Sequence, residues 1–250
     1  MSSNKPSKML EEARSASEAV ERQLFNLESR LIDLARDLRA SPPDVAMTLA
    51  RGSSDHAASY FAYLTMQHVG VPVASLPMSV VTLRQSPLRV QGQAVFAFSQ
   101  SGQSPDIIDS LSLLRERGAL SVALVNAENT PLEAACAYSL PLCAGAEISV
   151  AATKSFIATL SASARLVAHW ANDKALLEAG HLLPADLRDA CTQDWSKAIE
   201  TLRDAQRLLV IGRGAGFAIA QEAALKFKET STLQAEAFSS AEVRHGPMAL

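Results

Sequence analysis

The chain has 250 residues, of which 48% are hydrophobic and 20% charged, proportions ordinary for a folded globular protein with a substantial core. Its net charge of −3 and pI near 6.0 give no electrostatic reason to expect a nucleic acid or an anionic membrane as partner. No apolar run approaches the roughly 20 residues of a membrane helix, and the amino-terminal segment lacks the apolar stretch of a secretory signal. We therefore expect a cytoplasmic protein.

The amino-terminal part of the sequence has helical periodicity. From Met9 to Leu38, leucines recur at spacings of three and four between Glu and Arg, which predicts one amphipathic helix over residues 9–38. The SPPD segment at residues 41–44 ends that helix. Residues 1–40 are therefore predicted to form a helical extension in front of the first domain.

Short apolar runs then alternate with helical stretches. The predicted strands are residues 45–50, 71–76, 93–99, 120–126 and 137–142. The predicted helices are residues 55–69, 105–117, a short one opened by Thr130 and Pro131, 151–172 and 184–204. Buried strands that alternate with helices indicate an α/β fold, a doubly wound parallel sheet covered on both faces. Ligands of such sheets bind at the carboxyl ends of the strands, where the strand order reverses.

The segment RLLVIGRGAG at residues 207–216 repeats the opening theme of an apolar strand, a glycine-punctuated turn and a helix. This repetition predicts an internal duplication, with a first domain over residues 41–175 and the start of a second over residues 176–250. Only one or two strands of a second sheet fit before residue 250, so we expect this second copy to be incomplete in the sequence.

The stretch FSQSGQSPD, residues 98–106, follows the third predicted strand and has the composition of an anion site. Ser104 before Pro105 is typical of a helix start, so the loop directs backbone N–H groups from the positive end of the helix dipole. Gly102 allows close approach of the backbone, and the hydroxyls of Ser99, Ser101 and Ser104 add donors. A phosphate-binding loop is our interpretation; a serine-rich capped turn without a ligand is the alternative.

The stretch ARGSSD at residues 50–55 follows the first strand in the same way. Gly52 allows a tight turn, and Ser53 and Ser54 are candidates to cap the helix or to bind a ligand. Because both hydroxyl-rich loops follow neighbouring strands, they are expected to face one crevice.

A third cluster lies in ALKFKETSTLQAEAFSSAEVRHGP, residues 224–247. Lys226 and Glu229 are three residues apart and lie on one side of a helix, either as a solvated ion pair or as groups for proton transfer. His245 lies in a constrained RHGP turn. A lysine, a glutamate and a histidine together suit proton shuttling on a carbonyl or amino sugar. The remaining histidines, His56, His68, His169 and His181, and the three cysteines have no metal-ligand spacing, so we expect no metal.

Five motifs in this order resemble the sugar isomerase (SIS) domain family: ARGSS, SQSGQSPD, AGAEISVAATKSF, GRGAGFAIAQEAALKFKE and AEAFSSAEVRHGP. The similarity runs from Met9 to Leu250, and its nearest branches are the isomerase half of glucosamine-6-phosphate synthase and the SIS-type glucosamine-6-phosphate deaminases. The fold that the resemblance implies is a flavodoxin-like three-layer sandwich.

The resemblance also implies roles for individual residues. Ser99, Gln100, Ser101 and Ser104 would bind the sugar phosphate, and Ser54 would contact the sugar. Glu229 would carry a proton between two carbons, His245 would open the ring, in a neighbouring subunit's site if it reaches there, and Lys226 would handle the open-chain ketose. Val150 and Ala152 would line the pocket; the synthase carries a serine at the position of Ala152.

The function implied is deamination with isomerisation: glucosamine-6-phosphate and water give fructose-6-phosphate and ammonia, without any cofactor. A synthase needs its own ammonia source, and the stretch before the first predicted strand is too short for such a domain. The alternatives are a deaminase or isomerase of another phosphosugar, such as galactosamine-6-phosphate or a fructosamine phosphate, and a non-catalytic sensor of sugar phosphates. The family resemblance also implies a homodimer formed through the SIS domains.

Overall fold

The computed structural model describes residues 6–246, which form α/β structure throughout. The helices are α1 (Lys8–Arg14), α2 (Ala16–Asn26), α3 (Glu28–Ala40), α4 (Ser53–Leu64), α5 (Met78–Thr82), α6 (Pro105–Glu116), α7 (Pro131–Ala135), α8 (Lys154–Ala171), α9 (Lys174–Ala190), α10 (Ser196–Leu202), α11 (Ala215–Ser231) and α12 (Ser240–Val243). The strands are β1 (Ala46–Leu49), β2 (Val73–Ser75), β3 (Ala94–Ser99), β4 (Leu120–Val125), β5 (Tyr138–Pro141), β6 (Arg207–Gly212) and β7 (Gln234–Ser239). A π-helical turn, Thr65–Val69, extends α4.

The five predicted strands of the first half are all present and form one parallel sheet. Their order is β2-β1-β3-β4-β5, which is the flavodoxin-like order. Strand β2 lies on one side of β1 and the later strands lie on the other, so the strand order reverses between β1 and β3. Every residue of β1 and of β3 is buried, as expected for strands covered on both faces. The predicted fold class, a doubly wound α/β sheet, is confirmed.

The two faces of this sheet bury alternate residues of β3. Phe96 and Phe98 point into a core formed with α3, α4 and α8, where the ring of Phe61 lies 4.6 Å from that of Phe96. Val95 and Ala97 point into a second core, formed with α5 and α6. This alternation with period two gives the three layers of helix, sheet and helix.

The prediction of one helix over residues 9–38 is wrong, because the segment forms α1, α2 and α3 with breaks at Ser15 and Leu27. The Ser15 hydroxyl donates to the carbonyl of Glu12 at 2.9 Å, which competes with continuation of the helix. At the second break, the buried guanidinium of Arg165 donates to the carbonyls of Gln23 (3.2 Å) and Leu24 (3.3 Å). A tertiary contact with α8 therefore satisfies carbonyls that the end of α2 exposes.

The predicted helix over residues 184–204 is also wrong in its bounds. Helix α9 begins at Lys174, where the side chain of Asp173 accepts a hydrogen bond from the N–H of Leu176 at 3.0 Å. It continues through Pro184 and ends at Ala190, and α10 is a separate helix. A proline normally suggests a boundary, but here it lies buried inside the helix.

The second sheet has two parallel strands in the part of the chain that is described, β6 and β7, connected by α11. Helix α11 packs against α4 of the first sheet unit, so it spans the junction between the two sheets. The domain boundaries near residues 40 and 175 stay predictions. Among residues 6–246, no helix is both long enough and apolar enough to cross a membrane.

Candidate active site

A cavity of about 230 Å³ lies where β1 and β3 end, at the point where the strand order of the first sheet reverses. This is the position that parallel α/β sheets use for ligands. The loops after β1 and β3, the loop before α8, and helix α11 surround the cavity. Its lining includes nine predicted site residues: Ser54, Ser99, Gln100, Ser101, Ser104, Val150, Ala152, Lys226 and Glu229.

The loop after β3 is folded tightly around its own hydroxyls. Ser99 is buried, and its Oγ accepts a hydrogen bond from the N–H of Gly102 at 2.9 Å. The Oγ of Ser101 accepts one from the N–H of Gln103 at 3.3 Å. Ser104 is the N-cap of α6, and among the described residues its side chain makes no capping hydrogen bond. Its hydroxyl is therefore available to an anion, whereas Pro105 has no N–H and the N–H of Ile107 already donates to Oδ1 of Asp106 at 3.0 Å.

Arg51 adds a positive charge close to this loop, and the sequence analysis did not single it out. It lines the cavity, and its Nε lies 2.7 Å from Oδ2 of Asp106 in the first turn of α6. The ion pair connects the loop after β1 with the helix that follows the loop after β3. The two hydroxyl-rich loops therefore face one crevice, as predicted.

The same cavity is also lined by two charged side chains of α11, Lys226 and Glu229. Lys226 Nζ donates to Oε2 of Glu229 at 2.6 Å and to Oγ of Ser53 at 3.2 Å. Lys226 is largely buried and Glu229 is about one-third exposed, and both side chains line the cavity. The lysine and the glutamate share one helix side because they are three residues apart.

Two further residues support Lys226 from the protein interior. Glu222, one helical turn before Lys226, is 5% exposed, and its Oε1 lies 3.2 Å from Lys226 Nζ. Its Oε2 lies 2.7 Å from Nδ1 of His56 on α4. Burial alone would raise the pKa of Glu222, but hydrogen bonds from His56 and Ser53 and the charge of Lys226 lower it below its usual value. Glu222 is therefore ionised at neutral pH.

Sequence reasoning missed both of these supporting residues. His56 has no metal-ligand spacing to other residues, so the sequence predicted no functional role for it. Glu222 had a usable signal, since it precedes Lys226 by four residues on the same side of the helix. The contact between His56 and Glu222 joins positions 166 residues apart in the chain, which no local pattern predicts.

The loop that carries Val150 and Ala152 is held by two carboxylates. Oε1 of Glu147 accepts hydrogen bonds from the N–H of Thr153 (2.9 Å) and its hydroxyl (2.8 Å), and the Ser155 hydroxyl donates to Oε2. Glu12 on α1 accepts hydrogen bonds from the N–H groups of Ile148 (2.6 Å) and Ser149 (3.1 Å). The amino-terminal helix thereby positions one wall of the cavity.

His245 does not line this cavity. It is exposed after α12, where it lines a separate depression with Arg213, Ser240, Ala241 and Arg244. Pro247, which completes the predicted turn, lies outside the described residues. The role of His245, including a reach into a neighbouring subunit, stays a prediction.

The described residues offer little chemistry of other kinds. Within residues 6–246, no group of three or more His, Cys, Asp or Glu side chains is arranged to hold a metal ion. The cysteines are unpaired: Cys136 is buried, Cys143 is half-buried and Cys191 is exposed.

The comparisons with known proteins agree with the motifs. The family model described as SIS domain matches residues 44–168 and 201–250. The glutamine–fructose-6-phosphate aminotransferase (isomerizing) of Photorhabdus laumondii is 33% identical over 246 residues, covering 90% of this chain and 40% of the relative. The enzyme of the same name from Sulfurisphaera tokodaii is 30% identical over 250 residues, covering 98% of this chain and 41% of the relative. The chain thus spans about 40% of the length of these curated relatives.

Solved structures show the same fold. A protein of Silicibacter pomeroyi DSS-3, provisionally described as a phosphosugar isomerase, superposes with a TM-score of 0.93 and 41% identity, covering 97% of this chain and 74% of that one. The carboxy-terminal domain of the glucosamine-fructose-6-phosphate aminotransferase of Francisella tularensis has a TM-score of 0.79 and 25% identity, covering 100% of this chain and 74% of that one.

Proposed function

Because the chain belongs to the SIS domain family, we propose that it binds a hexosamine 6-phosphate and converts it to a ketose phosphate with release of ammonia. For glucosamine-6-phosphate, the reaction consumes one water and yields fructose-6-phosphate and ammonia. The reaction requires groups that bind the phosphate, a base close to C1 and C2 of the sugar, and a cation close to the oxygen on C1.

A single observation carries the proposal: one cavity is lined both by the hydroxyl-rich loop after β3 and by the lysine–glutamate pair of α11. The loop offers the hydroxyls of Ser99, Ser101 and Ser104 to a phosphate, and Glu229 and Lys226 line the same cavity. A phosphate bound in the loop would direct the remainder of an open-chain sugar towards Glu229. Binding energy from the phosphate is then available to position the reacting carbons.

The proposed steps start from the open-chain aldehyde. Glu229, as the carboxylate, takes the proton from C2, a C1–C2 double bond forms, and the carbonyl oxygen takes a proton from solvent to give an enaminol. Glu229 then returns a proton to C1, which leaves a protonated imine at C2. Water adds to the imine carbon, a proton moves from the added oxygen to the nitrogen, the C–N bond breaks, ammonia leaves, and the C2 ketone returns the last proton to solvent. The Lys226 ammonium would stabilise the negative charge that develops on the oxygen at C1.

The amino group in this proposal is supported by the relatives. The curated relatives at 30% identity or more are named as aminotransferases that also isomerise fructose-6-phosphate, so their own substrates include a hexose phosphate that acquires nitrogen. Release of ammonia needs only the phosphosugar and water.

An ammonia-release assay tests the proposal. The chain with glucosamine-6-phosphate should produce ammonia and fructose-6-phosphate in equal amounts. Glu229→Gln should lower kcat by roughly 10²–10⁴-fold, because the amide cannot accept the proton. Glu200→Gln, on the exposed helix α10, is the matched control and should leave kcat unchanged.

A panel of other substrates separates the alternatives. If ammonia is released only from galactosamine-6-phosphate or from a fructosamine phosphate, the chain is a deaminase of that sugar phosphate and not of glucosamine-6-phosphate. Ammonia-free turnover of a neutral sugar phosphate would replace deamination by plain aldose–ketose isomerisation. Binding of a sugar phosphate without turnover of any substrate would contradict the proposed enzymatic function and favour a non-catalytic sensor of sugar phosphates.

A further inference from the structure

Behind the cavity, four charged or titratable side chains from two helices form a continuous row. His56 on α4 contacts Glu222 on α11, Glu222 contacts Lys226, and Lys226 contacts Glu229, with closest distances of 2.7, 3.2 and 2.6 Å. Lys226 and Glu229 line the cavity, whereas His56 and Glu222 are not in its lining. The row therefore extends from the interior to the cavity wall.

The geometry points to His56 as a positioning residue, which acts through Glu222 to hold the Lys226 ammonium against Glu229. This inference rests on the proposed function, because it assigns His56 a part in the work of that lysine and glutamate. His56 has no direct access to the substrate in this arrangement, so it is not itself a catalytic residue.

The physical reason lies in the competition of two carboxylates for one ammonium. Lys226 Nζ lies between Glu222 and Glu229, so either carboxylate can draw the ammonium towards itself. Oε2 of Glu222 is occupied by His56 at 2.7 Å, which fixes the carboxylate plane on the α4 side. The other oxygen, Oε1, is buried and, among the described residues, has no hydrogen bond of good alignment, only the ammonium 3.2 Å away.

Without His56, the buried carboxylate of Glu222 would have one hydrogen-bond donor fewer. Glu222 would regain part of the lost free energy by turning to bind Lys226 more closely. The ammonium would then move away from Glu229 and from Ser53, whose Oγ it now contacts at 3.2 Å. Because the hydrogen bonds that hold the loop after β3 involve neither His56 nor Glu222, substrate binding should persist while turnover falls.

Steady-state kinetics with three variants tests this directly. His56→Ala should lower kcat about 100-fold with KM within threefold, since a displacement of ~1 Å at a catalytic group can cost that much. His56→Asn should restore most of the activity, because its amide can still donate to Glu222. His68→Ala is the matched control: His68 is similarly half-buried and pairs with Asp173 at 3.0 Å, away from the cavity.

A kcat for His56→Ala that falls no further than that of His68→Ala would overturn the inference. So would an effect confined to KM, or a folded His56→Asn protein as impaired as His56→Ala.

A second readout keeps this inference separate from the proposed function. Brief labelling of the folded protein with acetic anhydride, read by peptide mass spectrometry, reports how firmly Lys226 is held, with the exposed Lys228 on the same helix as internal reference. The ratio of Lys226 to Lys228 labelling should rise several-fold in His56→Ala and stay at the wild-type value in His56→Asn and His68→Ala. If the wild-type chain turns over no sugar phosphate, the proposed function fails while this ratio still decides the role of His56; an unchanged ratio in His56→Ala would refute it.

Discussion

Gly102 shows how a single residue shapes the loop after β3, for which we propose phosphate binding. Its φ of 63° lies in the left-handed region, and its missing side chain leaves room for Thr130. A Cβ at this position would lie 2.5 Å from Oγ1 of Thr130, the residue that caps α7. The carbonyl of Gly102 also accepts a hydrogen bond from the N–H of Leu132 at 3.3 Å. The loop therefore rests directly on the start of α7.

Gly102→Ala should therefore have two effects: the new Cβ would clash with Thr130 and displace the loop, and alanine would be strained at this positive φ. The matched control is Gly70→Ala, where φ is 81° and a Cβ would meet nothing within 4 Å, so the cost there is only the left-handed conformation, roughly 1–2 kcal/mol. We expect Gly102→Ala to lose at least twice as much unfolding free energy in urea and to lose binding of inorganic phosphate in calorimetry. Equal losses in the two variants, with phosphate binding intact, would contradict this account of the loop.

At the scale of elements, the amino-terminal helix α1 holds a loop of the cavity in place through the buried carboxylate of Glu12. Glu12 accepts hydrogen bonds from the N–H groups of Ile148 and Ser149, 136 and 137 residues later in the chain. Burial opposes ionisation of Glu12, but these hydrogen bonds and the charge of Lys154 lower its pKa below the usual value. Through Glu12, α1 thus supports the loop that carries Val150 and Ala152.

Glu12→Gln should weaken this wall, because the amide replaces one acceptor oxygen by a donor. We expect a lower Tm and a higher KM for the phosphosugar, whereas Glu11→Gln, on the exposed side of α1, should change neither. Since the folded pKa of Glu12 is depressed, its contribution is fully present above the ordinary range of a glutamic acid and is lost as the pH falls through the folded value. The Tm difference between wild type and Glu12→Gln should therefore shrink on acidification; a difference independent of pH would exclude this role.

At the scale of the whole molecule, the cavity joins two structural units. The first sheet supplies the loops after β1 and β3, and α11, which belongs with the second sheet, supplies Lys226 and Glu229. The packing of α11 on α4 brings these groups together. A ligand that spans the cavity would therefore hold both units in one arrangement.

Thermal unfolding with and without ligand tests this arrangement. Fructose-6-phosphate at 100 times its Kd should stabilise the protein by about 2.7 kcal/mol, or roughly 5–10 °C in Tm for a chain of this size. Fructose without phosphate should have little effect, and Ser101→Ala should reduce the shift caused by the phosphate ester. A shift of the same size with unphosphorylated fructose would show that the loop after β3 is not the anchor.

The sequence by itself determined the elements of the first sheet and the loops that follow them. Apolar runs such as AVFAFS form strands because both faces are buried, and Ser104 followed by Pro105 begins a helix because capping is a local interaction. The Lys226–Glu229 pair was equally visible, since helical spacing alone places the two side chains together. Only the tertiary structure decided the rest. Arg165 on α8 donates to carbonyls at the end of α2, Glu12 reaches a loop more than a hundred residues away, and His56 on α4 meets Glu222 on α11. These contacts depend on which elements the core packs side by side, and local periodicity carries no information about that.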